Sequence, residues 1–362
     1  MTLANRVVAP AGIRIRVLVV DDSVVIRRLV TQALSEDPEI EVVGVAANGR
    51  IALDRIPQLN PDVITLDIEM PEMDGLQTLR RLRAEYPKVR AIMFSTLTER
   101  GAAVTLEALS LGASDYVAKP ANVGSLDVSV KRLRDELLPK IKQFFIRPAA
   151  AARPPQRAAA PSPAGFRPAA RERRVVVIGC STGGPNALSM IFPALPAALP
   201  VPIVLVQHMP PLFTRLLAER LEAQSKIQVR EAQGGEELQA GVALVAPGDH
   251  HIVLQRKGAR VVTALNQEPP ENSCRPAADV LFRSVAEIYG GDAVAVVLTG
   301  MGQDGLRGIE LLKSQGAHVI AQDEASSVVW GMPGFVARAG LADEVTPIEQ
   351  VAQRILRVLP KA

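Results

Sequence analysis

Three residues in the second half of the chain, Ser181, His208 and Asp304, are of the types that acyl transfer requires. Each sits where a buried strand runs out. Ser181 lies in VVVIGCSTGGP, Val175 to Pro185. A β-branched run entering a small-residue turn and then a proline reads as a parallel strand, a tight loop and the start of a helix. In such sheets ligands meet the protein at the carboxyl ends of the strands. The glycines at 183 and 184 permit close backbone approach, and a helix N-terminus favours negative charge. A hydroxyl at this place is either a nucleophile or a phosphate ligand. His208 follows the apolar run Ile203 to Val206, and Asp304 lies in TGMGQDG after Val294 to Leu298. An imidazole can take the serine proton, and a carboxylate can fix the tautomer of that imidazole and stabilise its cation. Backbone amides around Thr182 and Met301 are the candidate donors to an oxyanion.

The first half carries a different constellation. Asp21 and Asp22, Asp67, Ser95 and Lys119 each close an apolar run, and alternation of strand and helix brings those ends to one edge. Carboxylates at 21, 22 and 67 crowd unfavourably without a cation, and hard oxygen ligands suit Mg²⁺. With a lysine and a hydroxyl on the same rim, the set fits a phosphoryl group carried on a carboxylate. A lone Asp after a strand is commonly a helix cap. Four strand ends bearing DD, D, S and KP in that order are a convergence that capping does not explain.

The elements that must position these groups are α/β throughout. In the first half, strands fit Ile15 to Val20, Val42 to Ala46, Asp62 to Leu66, Ala91 to Phe94 and Ser114 to Ala118, with helices between them. That is a five-stranded parallel, doubly wound sheet of flavodoxin-like type over 15–133. Residues 1–14 read as a flexible leader. Residues 134–174 form an Ala/Pro/Arg-rich linker that no apolar periodicity supports, preceded by a last helix, Asp127 to Phe145, running toward it. The second domain, 175–362, reads as Rossmann-like with a mainly parallel sheet. Its strands are the three named above, Val242 to Ala246, and Ala317 to Ala321, with helices at Asp279 to Ile288, Leu306 to Ser314 and Ile348 to Leu359.

Composition narrows the function class. Hydrophobic residues make up 48% of 362, enough for sizeable cores. Aromatics are 3%, too few for stacking on nucleic acid. The formal charge is +3, yet Arg147 to Arg174 alone holds seven Arg, no Lys and one Glu, so the rest is net acidic. The basic pI of about 9.0 belongs to the linker, not to a DNA-reading helix. The Arg run is a solvated tether or a contact for an anionic partner. Two cysteines give no disulfide framework, and no apolar run reaches the roughly 18 residues a membrane span needs. These point to a cytoplasmic protein with reduced thiols, no membrane insertion and no nucleic-acid partner.

Several residues compete for roles. His318 sits inside a strand pattern and reads as structural. His250 and His251 follow a turn and either line the cleft or do nothing there. Cys180, beside Ser181, is a rival nucleophile, although its place before the loop points it back into the sheet. Asp304 can also cap the helix that starts near Leu306. The order Ser, His, Asp departs from the acid-before-histidine order of α/β-hydrolases, so the Gly179-x-Ser181-x-Gly183 spacing does not imply that fold.

Two resemblances bear on function. Residues 15–133, with Asp21-Asp22, Asp67, Ser95 and Lys119-Pro120, resemble a response-regulator receiver domain. This implies phosphorylation of Asp67 by a CheA-type histidine kinase, Mg²⁺ held by Asp21, Asp22 and Asp67, and a phosphoryl switch through Ser95, Tyr116 and Lys119. GCSTGGP, VQHMPPLFT, APGDHH, CRPAADVLF and LTGMGQDG, behind a receiver, resemble the CheB family of chemotaxis methylesterases. That resemblance implies hydrolysis of glutamate γ-methyl esters on methyl-accepting chemoreceptors, deamidation of receptor glutamines, Ser181 as nucleophile, His208 as base and Asp304 as its acid. It implies support from Thr182 and Met301, a catalytic domain without cofactor, a monomer, and a receiver that inhibits until Asp67 is phosphorylated. Cys180 stands where that family more usually has alanine, which would open the loop to thiol reagents.

Overall fold

The computed structural model describes residues 14–96, 98–119, 126–145 and 172–360. The leader and most of the linker, together with residues 97, 120–125, 361 and 362, lie outside the described residues. Among the described residues no helix is long and apolar enough to cross a membrane.

The first sheet contains β1 (Ile15–Val20), β2 (Ile40–Ala46), β3 (Val63–Asp67), β4 (Arg90–Ser95) and β5 (Asp115–Ala118), in the order β2-β1-β3-β4-β5. Strand β1 pairs in parallel with both β2 and β3. The intervening helices are α1 (Val24–Ser35), α2 (Gly49–Leu59), α3 (Gly75–Glu85) and α4 (Glu99–Ser110). Each begins on a side-chain cap: Ser23, Asn48, Asp74 and Thr98 accept from Ile26, Ile51, Gln77 and Gly101 amides. Strand-to-helix turns are therefore built into the sequence, and the order turns at β1 and β3, where Asp21 and Asp67 stand. Helix α5 (Leu126–Lys142) occupies residues 134–142 of the stretch read as linker.

The second sheet holds seven strands in the order β14-β13-β12-β6-β7-β9-β8, and its pairings are parallel. They are β6 (Val175–Cys180), β7 (Ile203–Gln207), β8 (Gln228–Glu231), β9 (Val242–Val245), β12 (Ala293–Val297), β13 (His318–Gln322) and β14 (Glu344–Thr346). The central strands β6, β7 and β12 are buried along their whole length, which is why they read as continuous apolar runs. Val175, Val177, Val204, Val206, Ala295 and Val297 turn one face toward Leu281, Phe282 and Val285 of α8 (Ala278–Tyr289). Side chains fully buried in this way each contribute about 1.5–3 kcal/mol. The remaining helices are α6 (Gly184–Ile191), α7 (Pro211–Gln224), α9 (Leu306–Ser314), α10 (Met332–Arg338) and α11 (Ile348–Val358).

Several features went unread in the sequence, helices α7 and α10 among them. Edge strands β8 and β14 are four and three residues long, too short for a periodic signal. An antiparallel hairpin, β10 (His251–Lys257) with β11 (Arg260–Asn266), turns through Gly258 at φ 62°. Its tip is polar and exposed, so its alternation fades where a strand signal would be sought.

Candidate active site and phosphoryl-acceptor cluster

Parallel register puts the catalytic candidates side by side. Cys180 of β6 is opposite Gln207 of β7, and Gly179 is opposite Val297 of β12. The ladder continues past the strand ends: the His208 amide donates to Cys180 O (3.2 Å), and the Ser181 amide to Thr299 O (3.0 Å). Ser181, His208 and Thr299 thus leave the sheet at one edge. Gly183 adopts φ 82°, which L side chains seldom reach, and this lets the chain turn directly into α6. A Cβ on Gly300 would stand 2.8 Å from Ser181 Cβ, so only glycine lets the 299–302 loop approach the serine. The Ser181 carbonyl accepts from the Gly184 amide (2.8 Å) and from Gln207 Nε2 (3.0 Å), which fixes the turn.

His208 and Asp304 form the polar centre. His208 Nε2 lies 2.7 Å from Asp304 Oδ2, with side-chain exposures of 11% and 2%. Oδ2 also accepts from the Ala278 amide (2.6 Å), while Oδ1 accepts from the amides of Asp279 (3.1 Å) and Gly305 (3.0 Å). The first amides of α8 and the loop before α9 therefore hold Asp304 as an anion at the start of both helices. Burial opposes charge on His208, but its bonds to Asp304 and Cys274 outweigh this and hold the imidazole well above its ordinary range. Burial likewise opposes charge on Asp304, and the His208 contact overrides it to hold that carboxyl low. Both shifts describe one ion pair. The raised imidazole stabilises the fold fully below about pH 6.5 and loses that contribution as pH rises through its folded value. The lowered carboxyl stabilises above about pH 4 and loses its share as pH falls. We expect His208 ¹⁵N resonances to remain those of an imidazolium at pH 8. In Asp304→Asn, where burial dominates, the proton should leave below pH 7, and an unchanged titration would refute the pairing.

Among the described residues, no hydrogen bond joins Ser181 Oγ to His208. The second ring nitrogen, Nδ1, faces Cys274 Sγ at 3.4 Å instead. The Met301 amide is engaged by no hydrogen bond among the described residues, and Met301 is 39% exposed. The Thr182 carbonyl accepts from Thr299 Oγ1 (2.8 Å). Cys180 is fully buried, its Sγ 3.1 Å from Gln207 Oε1, and burial pushes its thiol far up. Sensitivity of this loop to thiol reagents is therefore not expected, and the thiol beside the imidazole is Cys274. His251 is 1% exposed and bonded on both nitrogens, accepting from the Ala277 amide (3.2 Å) and contacting Pro269 O (3.2 Å), which makes it structural. His250 Nδ1 lies 3.3 Å from Gly248 O within its own turn. His318 contacts Glu344 Oε1 at 3.1 Å across β13 and β14.

Sequence reasoning missed Asn272, Cys274 and Asp279 as members of this centre. Asn272 Nδ2 donates to Asp304 Oδ1 and to Asp279 Oδ2, both at 3.0 Å. The one available signal was Asp279, a carboxylate in the first turn of an otherwise apolar helix face and 1% exposed.

In the first sheet, Asp21, Asp22 and Asp67 bring carboxylate oxygens within 4.8 Å of one another. Asp21 and Asp67 are 2% exposed, whereas Asp22 is open to solvent. Three hard oxygen donors at this separation fit a hexacoordinate divalent cation that keeps several waters. Ser95 ends β4 with its hydroxyl accepting from Thr105 Oγ1 (2.6 Å), and its carbonyl accepts from the Lys119 amide (2.7 Å). Tyr116 is buried in β5.

Comparison with known proteins agrees with both halves. Residues 17–131 match the response regulator receiver domain, and 176–355 match the CheB methylesterase domain. A protein-glutamate methylesterase/protein-glutamine glutaminase of Trichodesmium erythraeum is 51% identical over 350 residues, covering 95% of this chain and 99% of its own. One of Nocardioides sp. is 53% identical over 361 residues, covering 96% of each chain. The crystal structure of the Thermotoga maritima CheB methylesterase catalytic domain is 44% identical. It superposes with a TM-score of 0.51, covering 52% of this chain and all of that one. The chain belongs to the CheB methylesterase family, hydrolases in which a response-regulator receiver domain precedes the esterase domain.

Proposed function

We propose that this chain removes methyl groups from glutamate γ-methyl esters of chemoreceptors and deamidates receptor glutamines, with Ser181, His208 and Asp304 as the reacting set. The observation that carries the reading is the 2.7 Å contact of His208 Nε2 with a buried Asp304 at the sheet edge where Ser181 emerges. With Nε2 committed to Asp304, Nδ1 is the atom that takes the Ser181 proton. Ser181 Oγ then bonds to the ester carbonyl carbon, and the oxyanion accepts from the Met301 amide with support from the Thr182 turn. The C–O bond to methanol breaks as Nδ1 returns its proton to the leaving oxygen. Water attacks the acyl-serine as His208 takes its proton, the acyl carbon–Oγ bond breaks, and Ser181 Oγ recovers the proton from His208 as the receptor carboxylate departs. With a glutamine side chain, ammonia leaves in place of methanol. Since the reaction needs neutral His208, the rate rises with pH through the raised imidazole range.

Asp67 is the phosphoryl acceptor in this reading, with Asp21, Asp22 and Asp67 the ligands of Mg²⁺, and Ser95, Tyr116 and Lys119 the residues that sense the phosphoryl group. The cation supplies neutralisation of phosphoryl oxygens when bound. The receiver restrains the esterase until phosphorylated by a histidine kinase, in a cytoplasmic, monomeric enzyme whose esterase domain uses no cofactor. The receiver is taken as 15–133 and the esterase as 175–362, with α5 continuing from the first as far as Lys142. The test is methanol release from a methylated receptor by the full chain, with and without a small phosphodonor and Mg²⁺. Release that rises with the phosphodonor is expected, and no release in either condition would refute the reading.

A further inference from the structure

The acid–base pair is reached by a turn to which the mechanism above assigns nothing. Glu271 and Cys274 pair through their backbones, the Glu271 amide donating to Cys274 O (3.1 Å) and the Cys274 amide to Glu271 O (2.8 Å). Asn272 and Ser273 at the tip have φ of 52° and 63°, a conformation that asparagine adopts more readily than most residues. Glu271 is tied by both carboxylate oxygens to Arg283 (2.7 and 2.5 Å) on α8, the helix whose first amides hold Asp304. The turn therefore touches both members of the pair, Asn272 on Asp304 and Cys274 on His208.

We propose that Asn272 is a positioning residue for the esterase reaction, its amide dividing two hydrogens between Asp304 and Asp279 so that Asp304 stays ionised and aimed at His208 beside a second buried carboxylate. The inference rests on the assignment of His208 and Asp304 as base and acid. Asp304 and Asp279 are 2% and 1% exposed. Two carboxylates in one dry site cannot both ionise easily unless donors lie between them. Asp279 has one other donor, the Gly308 amide (2.7 Å), and burial already pushes its carboxyl up, with Asp304 adding to the rise. The remaining charged or titratable groups facing the cluster are Glu271, Arg283, His208, Cys274 and His251. Among the described residues, only Asn272 bonds to both carboxylates.

Asn272→Gly keeps the left-handed backbone and removes the amide, while Asn272→Asp keeps the shape and replaces the donor with a third carboxylate. In both, the proton between His208 and Asp304 should be held to higher pH, because the Asp304 carboxylate loses a donor to its charge. The acid limb of kcat/KM then moves up by about one pH unit for Gly and further for Asp, roughly a tenfold loss at a fixed pH below the limb. The loss falls on kcat, with KM held within about twofold. Carbon-13 titration of the aspartate carboxyls in the full chain reads the same shift independently of catalysis. If wild type releases no methanol, the assignment of function fails while this titration still decides the role of Asn272. A merely structural turn lowers the melting temperature and leaves both titrations in place. Unmoved carboxyl titration in either folded variant overturns the proposal, and Asn272→Asp carries the test should Asn272→Gly not fold.

Discussion

Methanol release from a methylated receptor should fall by about 10⁴-fold or more in Ser181→Ala. Removing the nucleophile of a serine triad costs nearly as much as removing the whole set, leaving only binding and oxyanion stabilisation. Asp304→Asn should cost about 10³–10⁴-fold in the same assay, because an amide presents the wrong partner to His208 Nε2 and the ring loses its tautomer. The neighbouring thiol offers no bypass. Cys180 Sγ is enclosed between Gln207 Oε1 and the Val206 carbonyl, and its buried thiol resists ionisation. Cys274 Sγ lies 3.4 Å from His208 Nδ1, so substantial release surviving in Ser181→Ala would transfer the nucleophile to Cys274. The double variant Ser181→Ala/Cys274→Ala would then be the deciding sample. Release that persists in the double variant would remove the acyl-enzyme mechanism altogether.

Asp67→Asn should abolish stimulation by a phosphodonor, bringing the ratio of activated to basal methanol release to about one, and should leave no phosphorylated species by intact mass. Asp67 closes β3 and is 2% exposed beside Asp21, and in the proposed reading its carboxylate serves as both acceptor and oxygen ligand. An asparagine there removes the nucleophilic oxygen and one of three negative charges. Asp21→Asn removes a ligand and leaves the acceptor, so phosphorylation should persist only at much higher Mg²⁺, and EDTA should stop it in wild type. Basal release in Asp67→Asn equal to the fully stimulated wild-type rate would instead show that the unmodified carboxylate itself maintains restraint. Stimulation that survives in Asp67→Asn would place the phosphoryl group elsewhere.

Much of this was legible before any coordinates, for a definite reason. Buried parallel strands are written as unbroken apolar runs, and their carboxyl ends lie at one edge by topology alone. Ser181, His208, Asp21 and Asp67 each stand just after or at the end of such a run, and Asp304 lies in the loop that follows β12, so one-dimensional order sufficed to assign them to two edges. The helix starts after Ser23, near Arg50 and after the Met70 to Gly75 turn were likewise local, and the structure adds Ser23, Asn48 and Asp74 as their caps. What periodicity could not supply was anything carried by non-repetitive chain. Asn272 and Cys274 lie between β11 and α8 in a segment without apolar rhythm, and a turn with two left-handed residues bends them onto Asp304 and His208. The hydrogen bonds that pair Asp279 with Asp304 through Asn272 join residues 7 and 32 positions apart, and no spacing rule encodes them. The sequence by itself determined which strands exist and which polar groups end them, because burial imposes that pattern locally. Tertiary structure alone decided which imidazole nitrogen faces the acid, which thiol faces the base, and which cysteine is sealed in the sheet, because those depend on rotamers and loop paths set by packing around them.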